Sequence, residues 1–159
     1  MVEANTLKHI VVTGGNAGIG KALCKQLASE HNCYVFMGSR SLERGQNAVK
    51  EIVAEVPACE GKIEVVQIDT CSQESIEASV GAVKARLGEK LLYAVVNNAG
   101  VASFGENAVE AEMIIKTNVL GPKLMIDTYL SILCPKEGRI VNMGSGMGPV
   151  HVSKQGQED

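Results

Sequence analysis

The chain has 159 residues, of which 45% are hydrophobic and 3% aromatic, and its formal net charge at pH 7 is −3. This length and hydrophobic content suit one globular domain with its own core. Lysines and arginines are scattered rather than clustered, which argues against nucleic acid as a partner. Residues 1–8 contain no apolar signal segment, and no apolar run approaches the roughly 18 residues that span a bilayer. We therefore expect no membrane partner and a cytoplasmic location.

The cysteines are spread along the chain. None of the five belongs to a Cys-x-x-Cys pair, and none has a histidine at ligand spacing. This pattern predicts free thiols in a reducing compartment and no metal site.

Apolar strand patterns alternate with helical patterns along the whole sequence. The strands are predicted at residues 8–13, 33–37, 63–68, 91–96 and 139–143. The helices are predicted at residues 18–30, 42–56 and 72–87, followed by a long helical region at 110–133 that contains Pro122. Such alternation implies right-handed crossovers and a parallel sheet with helices on both faces. We predict a doubly wound α/β domain of the Rossmann type over residues 1–150, with a polar tail at 151–159.

A glycine-rich turn follows the first strand. Gly14, Gly18 and Gly20 occur in the spacing Gly-x-x-x-Gly-x-Gly. Glycines let the backbone turn sharply and approach a ligand, and the next helix directs its unpaired N–H groups at the turn. An anion, most naturally a diphosphate, is expected there. A tight strand-to-helix connection that binds nothing is the less favoured alternative for this turn.

In a doubly wound sheet, ligands bind beyond the carboxyl ends of the strands. Here those ends carry small, polar or charged residues, at positions 14–20, 39–40, 69–70, 97–100 and 144–145. The second strand ends at Ser39 and Arg40, where an acidic residue would favour NAD. Arg40 instead offers a planar cation to the 2′-phosphate of NADP. A solvated surface charge is the alternative interpretation, and Ala17 stands where a second cation would have strengthened the NADP prediction.

Five segments resemble the short-chain dehydrogenase/reductase family over about residues 8–150. They are residues 13–20, Asp69, residues 97–100, residues 116–118 and residues 138–145. Among the branches of that family, the chain is most similar to the NADP-dependent carbonyl reductases. The resemblance implies hydride transfer from NADPH to a ketone or aldehyde, with a small-molecule carbonyl compound as substrate.

The resemblance also assigns roles to the cofactor-binding residues. It implies that Gly14, Gly18 and Gly20 line the diphosphate turn, with Asn16, Ala17 and Ile19 beside the cofactor. Arg40 would bind the 2′-phosphate, and Asp69 the adenine amino group. Asn97, Ala99 and Gly100 would stabilise the central strand and lie along the riboses.

Two residues match the catalytic positions of the family. Ser145 would hydrogen-bond the substrate carbonyl, and the main-chain carbonyl of Asn118 would hold a water of the proton relay. Pro122 supports the second assignment on physical grounds, because its nitrogen has no hydrogen to donate to the Asn118 carbonyl. The alternatives are a capping serine and a proline that merely bends the helix.

The family pattern also includes Tyr-x-x-x-Lys after the serine, and the chain has no such pair. Tyr34, Tyr93 and Tyr129 all precede Ser145, and none has lysine four residues later. We therefore expect little or no turnover by the chain as given. It is either part of a longer reductase or a finished, non-catalytic NADP-binding or interaction module. In the second case the fifth strand would have an open edge through which the chain could associate with itself.

Overall fold

The computed structural model describes residues 7–102 and 108–146, which form five strands and five α-helices. The strands are β1 (Lys8–Val12), β2 (Cys33–Ser39), β3 (Ile63–Gln67), β4 (Ala94–Asn97) and β5 (Arg139–Asn142). The helices are α1 (Gly18–Glu30), α2 (Leu42–Glu55), α3 (Gln73–Leu87), α4 (Ala108–Ile115) and α5 (Gly121–Tyr129). A 3₁₀ turn at Pro57–Cys59 follows α2, and a π-helical turn at Lys116–Leu120 joins α4 to α5.

All five strands are parallel, in the order β3-β2-β1-β4-β5. The chain builds the sheet outward from β1 through β2 to β3 and then crosses back to add β4 and β5 on the other side of β1. The strand order therefore reverses between β1 and β4, which is where such sheets open a crevice at their carboxyl ends. The predicted doubly wound, Rossmann-type fold is confirmed.

Neighbouring residues of the central strands serve two separate cores. Val12 packs with residues of α1 and α2, including Cys24 and Ile52. The preceding residue, Val11, packs with residues of α3 and α5, including Ile76 and Met125. Because successive side chains of a strand point to opposite faces, a strand covered on both sides must be apolar throughout. This explains the unbroken apolar runs in the sequence.

Two predicted elements differ from the structure. The helical region predicted at residues 110–133 is divided into α4, the π-helical turn and α5, because the Gly121 N–H bonds the Lys116 carbonyl five residues back. The strand predicted from residue 91 begins only at Ala94, since Leu92 pairs instead with the segment after α5. There the Leu92 N–H donates to Ile132 at 2.9 Å and the Leu92 carbonyl accepts from Cys134 at 2.8 Å.

Within residues 7–102 and 108–146, no helix is long and apolar enough to cross a membrane, and no group of three potential metal ligands occurs. All five cysteines are free thiols. The predicted polar tail at 151–159 lies outside the described residues.

Candidate active site

The glycine turn between β1 and α1 is shaped by two glycines with positive φ and one tight contact. Gly14 has φ of 64° and Gly18 has φ of 52°, conformations that side chains with a Cβ rarely adopt. A Cβ on Gly20 would lie 2.4 Å from the Gly14 carbonyl oxygen. The predicted glycines are therefore required for the turn to close on itself.

The turn is tied to the end of β4 by Thr13, which is only 1% exposed. Its hydroxyl accepts the backbone N–H groups of Asn98 and Ala99, each at 3.0 Å, and donates to the Val96 carbonyl at 3.3 Å. In return, the Asn98 side-chain amide donates to the Thr13 carbonyl at 2.9 Å. The two segments that border the crevice are thus held in one fixed arrangement. Neither Thr13 nor the Asn98 side chain has a role that the sequence pattern predicts.

The amino end of α1 differs from those of α2 and α3. Ser41 and Ser72 cap α2 and α3 by accepting the N–H groups of Arg44 and Ser75, each at 3.2 Å. Ala17 precedes α1 and provides no side-chain cap, and the first turn of α1 carries no acidic residue. The unpaired N–H groups and the positive dipole end of α1 thus remain available to an anion at the glycine turn.

A cavity of about 390 Å³ lies over the glycine turn at the β1–β4 crevice. Nearly all of the predicted cofactor-binding residues line it: Gly14, Asn16, Ala17, Gly18, Ile19, Gly20, Arg40, Asp69, Ala99 and Gly100. Ile68, Thr70, Cys71, Asn98, Val101 and Thr117 complete the lining. No local sequence pattern around Cys71 indicates this position, whereas Thr117 belongs to the family-like segment 116–118. Their contact, with 3.4 Å between sulfur and hydroxyl, joins the loop after β3 to the π-helical turn.

Arg40 and Asp69 supply opposite charges to this cavity without neutralising each other. No carboxylate of the described residues forms an ion pair with Arg40. Asp69 accepts the Cys71 N–H with one carboxylate oxygen at 2.9 Å, and its backbone N–H donates to Ser75. The Asp69 carboxylate is therefore held in place while its second oxygen stays available. A guanidinium without a partner suits a phosphate, and a fixed carboxylate suits a donor such as an amino group.

A second cavity, of about 740 Å³, continues from the first toward β5. The two cavities share Ile19, Asn98, Ala99 and Gly100 as lining residues. The remaining predicted site residues, Asn97, Asn118 and Ser145, line this second cavity. All the predicted site residues thus lie along one continuous surface at the carboxyl edge of the sheet.

The side chain of Asn118 is fixed by the backbone of Val101. The side-chain oxygen of Asn118 accepts the Val101 N–H at 2.9 Å, and the side-chain amide of Asn118 donates to the Val101 carbonyl at 2.8 Å. Asn118 lies in the π-helical turn, a feature that often marks functional sites in helices. With both ends of the side chain engaged, the main chain of Asn118 is the part left for a ligand or a water.

Asn97 and Asn142 join the carboxyl ends of β4 and β5. They are register partners, and the Asn97 amide donates to the Asn142 side-chain oxygen at 2.8 Å. The Asn97 side-chain oxygen is buried and has no partner among the described residues. This cross-strand pair holds the strand end that leads through Met143 to Ser145, so it braces the wall of the second cavity.

Comparison with known proteins shows the family of the chain. The chain belongs to the short chain dehydrogenase family, whose model matches residues 8–157. A short-chain dehydrogenase of Penicillium roqueforti (anuI) is 32% identical over 96% of this chain and 61% of its own length.

Two solved structures share the fold. A metagenomic short-chain oxidoreductase in complex with NADP superposes with a TM-score of 0.75 at 29% identity, covering 89% of this chain and 64% of its own. The NADPH-bound carbonyl reductase from chicken fatty liver superposes with a TM-score of 0.75 at 24% identity, over 89% of this chain and 61% of its own. The chain therefore spans less than two thirds of the length of each of these relatives.

Proposed function

We propose that this protein is a reductase that uses NADPH to reduce the carbonyl group of a small ketone or aldehyde. The observation that carries the proposal is the cavity itself, in which a glycine turn, an arginine without an ion-pair partner among the described residues and a fixed carboxylate face one space. It leads directly to Asn118 and Ser145. The NADP complex of the metagenomic relative supports a nicotinamide cofactor.

The residues present fit such a cofactor. The glycine turn and the uncapped amino end of α1 would bind its diphosphate, since backbone N–H groups and the helix dipole both favour an anion there. Arg40 would bind the 2′-phosphate and Asp69 the adenine amino group. Asn97, Ala99 and Gly100 would line the path from the first cavity to the second, along the riboses. The cofactor, when bound, supplies a hydride.

Ser145 and Asn118 would act on the carbonyl compound. The Ser145 hydroxyl would donate to its oxygen and stabilise the negative charge that develops there. Asn118 would hold a water through its main-chain carbonyl, because Pro122 has no N–H with which to occupy that carbonyl. A proton must also reach the substrate oxygen, and the family tyrosine for that step has no counterpart after Ser145 in this chain.

The preference for NADPH is testable by titrating the purified chain with NADPH and with NADH. Arg40→Ala should raise the Kd for NADPH roughly tenfold to a hundredfold, the range for a hydrogen bond to a charged group, and leave that for NADH unchanged. Lys50→Ala is the matched control, because it removes one positive charge from α2 outside both cavities. Equal effects of Arg40→Ala on both cofactors would contradict the proposal.

A non-catalytic NADP-binding or interaction module is the second candidate. The exposed residues of β5 favour it, among them Ile140 at 38% and Val141 at 42% exposure, beside an edge that pairs with no described strand. This candidate predicts NADPH binding without turnover and self-association through β5. Carbonyl reduction by the 159-residue chain at about 1 s⁻¹ or faster would exclude it, and a monodisperse monomer by light scattering would exclude the β5 association. A cytoplasmic location, suggested by five free thiols, is part of both candidates.

A further inference from the structure

The turn that carries Arg40 is held by side chains on both of its sides. On the inner side, the buried Ser39 hydroxyl donates to the Ser41 carbonyl at 2.8 Å and accepts the Ser41 N–H at 3.3 Å. On the outer side, the Gln67 side-chain amide donates to the main-chain carbonyl of Arg40 at 3.2 Å. Arg40 itself is exposed and lines the cavity. Its backbone is thus fixed, while its guanidinium forms no ion pair with any carboxylate of residues 7–102 and 108–146.

Gln67 reaches Arg40 because of the register of the outer strands. Gln67 is the last residue of β3 and lies opposite Ser39, the last residue of β2. The ladder continues one step further, where the Ile68 N–H donates to the Ser39 carbonyl at 3.0 Å. Arg40 follows Ser39 and lies beyond the paired residues, so its carbonyl has no strand partner in β3. The Gln67 side chain supplies that missing hydrogen bond.

We propose that Gln67 is a positioning residue for recognition of the 2′-phosphate. It acts through Arg40: the bond to the Arg40 carbonyl fixes the peptide that follows β2 and so fixes the point from which the guanidinium reaches the cavity. An arginine side chain has many rotamers, so ordering it costs conformational entropy. When the main chain of Arg40 is already fixed, less conformational entropy is lost as the guanidinium binds a phosphate. The inference rests on the proposed function, because it concerns the phosphate that distinguishes NADPH from NADH.

Gln67→Met tests the inference, since methionine has a similar length but no donor. The Kd for NADPH should rise roughly threefold to tenfold, the effect of one hydrogen bond between neutral groups, and that for NADH should stay within about twofold. The same selective loss is expected between 2′,5′-ADP and 5′-AMP, which differ only in the 2′-phosphate. Gln73→Met is the matched control, because Gln73 bonds Glu77 and Thr128 and lies outside both cavities.

Arg40→Ala, measured in parallel, separates the inference from the function beneath it. If Arg40→Ala weakens NADPH binding and Gln67→Met does not, Gln67 has no positioning role while the proposed function stands. If Gln67→Met weakens NADPH and NADH equally, the residue supports the fold or the adenosine region, and the inference is wrong. If Arg40→Ala also leaves NADPH binding unchanged, the NADPH assignment fails and the inference fails with it.

Discussion

Thr13 and Asn98 hydrogen-bond each other's backbone across the crevice between β1 and β4. The Thr13 hydroxyl accepts the Asn98 N–H at 3.0 Å, and the Asn98 amide donates to the Thr13 carbonyl at 2.9 Å. The same hydroxyl also accepts the Ala99 N–H, so one small side chain satisfies two backbone donors at the end of a strand. The shape of the cofactor cavity depends on this pair, because it joins the glycine turn to the segment 97–100.

Thr13→Val should be destabilising, although the two side chains have nearly the same shape. Valine cannot accept the Ala99 N–H, which is left without a partner among the described residues, whereas the Asn98 N–H keeps its bond to the Val96 carbonyl at 3.1 Å. The free energy of unfolding in urea should therefore fall by roughly 1–3 kcal/mol, the cost of one unsatisfied buried donor. Thr13→Ser keeps the hydroxyl and is the control. If Thr13→Val and Thr13→Ser unfold at the same urea concentration, the hydroxyl does not hold the crevice.

Asn118→Leu should release the segment that follows β4. The substitution removes both hydrogen bonds to Val101, and the Val101 amide should exchange with deuterium faster in consequence. Because these bonds are exposed, the loss of global stability should be about 1 kcal/mol. Lys116→Met, on the exposed side of the same π-helical turn, should leave exchange at Val101 unchanged. Unaltered exchange in Asn118→Leu would mean that Val101 is held by other contacts.

The position of the site could be predicted from the sequence, whereas its internal connections could not. Polar residues after apolar strands indicate a ligand edge, because parallel strands place their carboxyl ends together. The Thr13–Asn98 pair, however, depends on β1 lying beside β4, and its members are 85 residues apart. The link from Gln67 to Arg40 depends in the same way on the β2–β3 register. Local patterns carry no information on which strands become neighbours or in what register.

The sequence predicts an interruption in the helix near Asn118, but it does not predict that the interruption is a π-helical turn. Pro122 indicates that the Asn118 carbonyl loses its usual partner, but a proline alone does not select between a bend and a wider turn. In the structure Gly121 packs against the loop after β3, where an added Cβ would lie 3.1 Å from the Thr70 carbonyl oxygen. This close approach is a tertiary contact between segments that are distant in sequence. A local sequence pattern therefore cannot predict the π-helical turn.

The stability of the fold should fall in mildly acidic solution because of His9. This side chain is 9% exposed and lies beside Tyr34 and Phe36, with ring centroids 5.4 and 6.3 Å away. Burial, and secondly the charge of Lys90, lower the pKa of His9 below its usual 6.5, although a backbone hydrogen bond at Leu7 partly offsets them. Below pH 6.5 the unfolded chain therefore binds more protons at this position than the folded chain, and stability decreases as the pH falls.

His9→Phe should remove this component of the pH dependence. In urea unfolding between pH 5 and 8, lowering the pH should destabilise the wild type more than His9→Phe, whatever the difference between the two proteins at pH 8. The decisive quantity is the slope below pH 6.5, which should be smaller in His9→Phe. His31→Gln, at the exposed carboxyl end of α1, should keep the wild-type slope. Equal slopes in all three proteins would assign the acid dependence to other groups.

Tyr129 and Ser79 form a buried hydrogen bond, 2.7 Å long, that joins α5 to α3 behind the π-helical turn. The Ser79 hydroxyl donates to the Ile76 carbonyl, so the Tyr129 hydroxyl is the donor in the pair. Tyr129→Phe should then cost only about 1 kcal/mol, whereas Ser79→Ala leaves a buried phenol unpaired and should cost about 1–3 kcal/mol.

The same tyrosine predicts a loss of stability in alkaline solution. Burial raises the pKa of Tyr129 to about 12. Between its usual pKa of about 10 and that value, the unfolded chain has lost the proton that the folded chain retains, so stability decreases as the pH rises. Tyr129→Phe should flatten this alkaline decrease in urea unfolding at pH 9–11, while Ser79→Ala, which keeps the phenol, should not. An unchanged alkaline slope in Tyr129→Phe would show that the phenol ionises as readily in the folded chain as in the unfolded one.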